Sequence, residues 1–141
     1  MNPTASLVAA TLFLLSLASC AAPTPNHGYQ SMQAPSSQHL ALPRGAGNGP
    51  SNKEVSVLLD ERHLKLATIA LRNGTALPVH TAPVPVTIHV LEGEGVIHTG
   101  GKPVSVTQGS LIALVANEEH DVIPTPGSDM LLLVHYLRGA Q

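Results

Sequence analysis

The chain has 141 residues, 43% of them apolar and only 2% aromatic, with a net charge of −2 at neutral pH. That length admits one domain at most, and seven Lys and Arg placed singly supply no basic surface, so nucleic-acid binding is excluded. The only cysteine, Cys20, has no partner in the chain with which to form a disulfide.

The chain opens on an apolar run over residues 7–17, too short for a permanent membrane span and suited to a secretory signal. It closes on Leu17, Ala18, Ser19 and Cys20, a tetrad that resembles a bacterial lipobox. The resemblance implies a lipoprotein signal peptide over residues 1–19 and diacylglyceryl attachment to Cys20. It also implies a place in the cell envelope, with the lipid bilayer as partner. Ala21, where an acidic residue would signal retention, implies the outer membrane facing the periplasm. An ordinary cleavage near Ala21 and Ala22, leaving no anchor, is the alternative. With the lipidated cysteine, residues 20–52 read as a flexible linker, because five Pro, four Gly and no apolar period over 23–52 cannot offset the entropy of ordering. His27 and His39 fall in it and are taken as incidental.

Residues 53–141 remain as the folded domain. Gly and Pro divide them into short runs without helical period, predicting strands near 55–59, 65–71, 76–80, 84–91, 95–99, 104–107, 111–115, 120–123 and 130–137. Short strands so spaced predict an all-β sandwich or barrel. The domain has no Phe or Trp, so its core is built from Val, Ile, Leu and Ala. A core of this kind is small, and a second subunit covering one sheet would support it, so a homodimer is expected, with 130–134 either a buried strand or a pairing edge.

The glycines of Val90-Leu-Glu-Gly-Glu-Gly95 and of Gly100 and Gly101 taken alone indicate two hairpin turns. Together with Gly74-Thr-Ala-Leu-Pro-Val-His80, Gly109-Ser110 and Asn117-Glu-Glu-His120, they resemble the two motifs of the cupin superfamily over roughly residues 65–137. The resemblance implies a double-stranded β-helix, a jelly-roll barrel whose interior holds a metal or small ligand. It also implies a metal set of two histidines and a glutamate from the first motif and one histidine from the second. On this sequence those positions carry His80, Ala82, Val86 and His120, so two of the four are apolar. Val115, Asn117 and Pro124 also depart from the second motif.

A divalent metal, Fe, Mn, Zn or Ni, held by His80 and His120 alone would lack both a third protein ligand and a neutralising carboxylate. Other histidines are candidates to compensate. Strict alternation turns His89 away from Val86, and His98 away from Ile97 and Thr99. His135 belongs to the parity class of Leu131, Leu133 and Leu137, which, if inward, adds it to a ligand pocket with His80, His120, Ala82 and Val86. His63, beside Glu61 and Arg62, reads as a solvated edge. Glu92 and Glu94 read as solvated turn carboxylates, and Glu118, Glu119 and Asp121 as a polar loop at the barrel mouth.

No nucleophile elbow, P-loop, dinucleotide fingerprint, CxxC pair or HExxH is present. Two functions fit these residues. One is an envelope-tethered binding or structural module with a degenerate metal site, whose inward face at Ala82, Val86 and Val115 has become apolar and which takes a small-molecule ligand. The other is a metal-dependent enzyme, dioxygenase-like or isomerase-like, with a rearranged histidine set.

Overall fold

The structure, a computed structural model, describes residues 37–139. Among them nine strands form: β1 (Lys53–Asp60), β2 (Leu64–Leu71), β3 (Leu77–His80), β4 (Val86–Glu92), β5 (Glu94–Thr99), β6 (Lys102–Thr107), β7 (Leu111–Leu114), β8 (His120–Pro124) and β9 (Met130–Leu137). They pair antiparallel into a five-stranded sheet, ordered β1-β2-β9-β4-β7, and a four-stranded sheet, ordered β3-β8-β5-β6. The all-β double-stranded β-helix expected from the sequence is the observed fold, and each expected strand lies within a few residues of an observed one.

Alternation decides what each strand buries. Ile69 and Leu71 from β2, Val86, Ile88 and Val90 from β4, and Met130, Leu132 and Val134 from β9 line one wall. Ile97 from β5, Val106 from β6 and Val122 from β8 close against them. The inward class of β9 is therefore the even one, so the expectation that His135 joins the pocket is corrected. His135 lies on the outer face of the five-stranded sheet, where Nδ1 bonds Thr87 Oγ1 at 2.8 Å. Val115 likewise does not face inward; it lies just past β7 and is 70% exposed.

The outer face of the five-stranded sheet is covered at one end by a segment that composition assigns to the linker. Ala46 packs with Ala70 and Leu131 in a small apolar cluster. The guanidinium of Arg72, 7% exposed, binds this strap. Its Nε donates to the carbonyls of Ala46 and Gly47, both at 2.8 Å, and Nη1 donates to Ser51 O. Nη2 pairs with Glu54 at 2.8 Å. Glu92 is not a free turn carboxylate either, since its Oε1 accepts from Gly45 N–H at 2.7 Å. The linker's C-terminal stretch, from Gly45 to Asn52, is thus part of the folded unit, which begins at Gln38. The physical reason is one buried cation that gathers carbonyls no strand satisfies.

Five strands facing four leave an overhang. On β1, Val55 and Val57 are opposite Ile69 and Ala67 and share their inward parity, yet they are 55% and 54% exposed. The register shift between Val57 and Leu59 bends this edge.

Candidate functional site

Both motif histidines come from the four-stranded sheet. His80 ends β3 and His120 begins β8, and the two are direct cross-strand partners, with ring centroids 4.2 Å apart and planes tilted by 52°. Residues brought together by the intervening turns fix this pairing. Asn117 takes φ of 63°, the left-handed conformation that asparagine tolerates, and its N–H donates to Ala82 O at 2.7 Å. That bond joins the loop after β3 to the loop before β8.

Gly93 and Gly95 serve this geometry as scaffold. Gly93 has φ of 88°, and a Cβ there would strike the carbonyl of Asp129. At Gly95 a Cβ would strike Ile123 O and come within 2.8 Å of Pro124 Cα, so glycine is what lets β5 lie against β8.

Each histidine has a defined tautomer. The Nδ1–H of His80 donates to Pro78 O at 2.8 Å, and that of His120 to Glu118 O at 2.9 Å. A carbonyl oxygen only accepts, so in the neutral ring both protons sit on Nδ1 and both Nε2 atoms present a lone pair. His80 is exposed, whereas His120 is 4% exposed.

Glu118 holds the loop that carries His120. Its Oε1 accepts from Thr99 Oγ1–H at 2.7 Å, and its Oε2 accepts from Val115 N–H at 3.3 Å. The Thr99 and Val115 bonds, in that order, keep its carboxyl below the ordinary glutamate range despite partial desolvation.

The histidines open on a cavity of about 120 Å³. Its walls include Ile69, Ile88, Leu132 and Val134, with Ala82 and Val86 beside the histidines and Tyr136 as the other ring. Ala82 and Val86, the two positions where the motif would supply further ligands, are 7% and 2% exposed. The structure therefore places His80, His120, Ala82 and Val86 in one pocket and leaves His135 out. Sequence reasoning missed Tyr136; its even parity with Leu132 and Val134 on β9 is the signal that assigns it to the pocket. Burial raises its hydroxyl pKa above the ordinary tyrosine value, and Lys65 Nζ lies over its ring, 5.7 Å from the centroid.

The remaining histidines lie elsewhere. His98 faces outward and donates Nδ1–H to Asp121 Oδ1 at 2.8 Å. His89 lies between the inward Ile88 and Val90 on β4 and so faces the outer side of its sheet. Among the described residues, no group of three or more His, Cys, Asp or Glu is placed to hold a metal ion. The donor set of two neutral imidazoles without a carboxylate does not fit a resident divalent metal centre. Cys20 lies outside the described residues.

The family model for the cupin domain matches residues 67–136. Among solved structures, a predicted oxalate decarboxylase from Thermotoga maritima is 25% identical with a TM-score of 0.56, over 62% of this chain and 81% of that one. An RmlC-like cupin from Desulfovibrio desulfuricans is 24% identical with a TM-score of 0.55, over 61% and 82%. A cupin superfamily protein from Desulfitobacterium hafniense is 14% identical with a TM-score of 0.61, over 72% and 100%, a likeness of fold alone. No curated protein matches the sequence. With its two paired histidine strands, its jelly-roll sheets and the family match across β2 to β9, this chain belongs to the cupin superfamily.

Proposed function

We propose that the protein is a small-molecule-binding cupin without a resident catalytic metal, tethered to the cell envelope through Cys20. In this reading His80 and His120 are the polar anchors of a mostly apolar pocket whose lining also carries the hydroxyls of Thr81 and Tyr136. The observation that carries it is the burial of Ala82 and Val86 in the same cavity as the two histidines. Apolar side chains occupy the space that further metal ligands would need, while keeping the enclosed, mostly apolar character of a ligand site.

One observation favours the second reading, a metal-dependent cupin enzyme of the oxalate decarboxylase or isomerase kind. The Nδ1–H bonds to backbone carbonyls are the arrangement that orients metal-ligating histidines. A third ligand is what it lacks.

Elemental mass spectrometry of the full chain, purified without affinity tag or chelator, separates the two. Less than about 0.1 metal per chain after incubation with Fe, Mn, Zn or Ni is expected, because two neutral ligands hold a divalent ion weakly. Near-stoichiometric metal that is lost in both His80→Ala and His120→Ala would overturn the metal-free reading in favour of the enzyme.

A further inference from the structure

Resting on the reading of this cavity as a ligand pocket, we infer that its ligand is an uncharged, roughly benzene-sized molecule bearing a hydroxyl or N–H donor. It is not a carboxylate, a phosphate or an ammonium ion. Three observations lead there.

The first is the direction of the hydrogen-bonding capacity. Both Nδ1–H groups are committed to Pro78 O and Glu118 O, so what each ring can offer a ligand in its neutral form is an acceptor. Among the described residues neither Nε2 has a hydrogen-bond partner in the protein. Two paired strands thus place two imidazole acceptors side by side, with ring centroids 4.2 Å apart. A carboxylate or phosphate brings only more lone pairs to them, whereas an O–H or N–H satisfies one directly.

The second is the absence of permanent charge. None of the side chains lining the cavity is Asp, Glu, Lys or Arg, and Lys65 is applied to the Tyr136 ring without entering the lining. An ion entering this mostly apolar space would lose hydration with no Asp, Glu, Lys or Arg in the lining to replace it, a cost that a neutral ligand avoids.

The third is size. A dry apolar cavity of about 150 Å³ is known to take up benzene. The cavity here, of about 120 Å³, is close to that measure, and its lining includes the exposed His80, Thr81 and Pro83. A ring of five or six atoms with one polar substituent matches it, the ring against Ile88, Leu132 and Val134 and the substituent at the histidines.

Three probes of matched shape test the inference on the full chain at neutral pH by ligand-detected NMR titration: phenol, fluorobenzene and benzoate. Fluorobenzene is nearly isosteric with phenol and has no donor; benzoate is an acceptor-only anion. Phenol is expected to bind about tenfold more tightly than fluorobenzene, the ratio that one net hydrogen bond supplies, and benzoate to bind more weakly than both. In His80→Leu the ratio of phenol to fluorobenzene affinity is expected to fall towards one, because the change removes an acceptor and adds none.

Equal affinity for phenol and fluorobenzene would overturn the donor assignment and leave the pocket as a binding site. Preference for benzoate would overturn the assignment of a neutral ligand. Failure of all three to bind would remove the ligand-pocket reading together with this inference. An independent readout is the ¹⁵N spectrum of the imidazoles: the neutral rings are expected to carry their proton on Nδ1 at both histidines, and a dominant Nε2–H tautomer at either would overturn the argument.

Discussion

Glu118 shows how much of the site depends on a side chain that never touches the cavity. Its carbonyl fixes the tautomer of His120, and its carboxylate ties the same loop to Thr99 and Val115. Because those contacts lower its pKa below 4.5, the folded state binds its proton less readily than the unfolded state does. The associated stability is fully present above the unfolded value and is lost as pH falls below about 4.5 through the folded one. Denaturant midpoints across that range are expected to drop less steeply for Glu118→Gln than for the native chain; equal slopes would show that the carboxylate bonds do not matter to folding. That His80 and His120 share one site was legible in the sequence through the motif resemblance; their direct cross-strand pairing was not. The tautomers were not, since they depend on carbonyls two residues away whose direction no residue type encodes.

At the scale of elements, the strands were legible and one parity was not. A strand buried on one face announces its register through alternation, as β4 does with Val86, Ile88 and Val90 inward. In β9 the run from Met130 to Val134 is buried on both faces, so hydrophobicity carries no parity and His135 could be placed either way. What covers part of the second face is the strap, and the strap was invisible for a related reason. Its Gly- and Pro-rich composition describes a chain that cannot order itself, but here Arg72 and Glu92 order it from outside. Replacing Arg72 by Met removes the bonds to Ala46, Gly47, Ser51 and Glu54 together. A loss of about 2–3 kcal/mol in unfolding free energy is expected, on the scale of hydrogen bonds to a charged group. New proteolytic cleavage between residues 43 and 52 should accompany it, and an unchanged digestion pattern would show that the strap is held by other means.

For the whole molecule, the mismatch between five strands and four leaves inward-parity valines uncovered on β1. We propose that a second copy of the chain covers them, which answers the marginal core that the scarcity of aromatics implies. Sedimentation velocity is expected to give a dimer for the native chain and a monomer for Val57→Lys; a native monomer at micromolar concentration would end this proposal. The substitution lies on the five-stranded sheet's edge, away from His80 and His120, so phenol binding should survive it if the pocket is complete within one subunit.

The Arg72 clamp also sets where a mechanical load enters the domain. Tension applied through the backbone from the N-terminal side of Gly45 would otherwise reach β1 directly and peel this edge strand from β2 one hydrogen bond at a time. With Ala46, Gly47 and Ser51 bound by the guanidinium, the force is first shared with β2, which is paired on both sides. This edge strand is thereby shielded, and the two histidines lie in the other sheet.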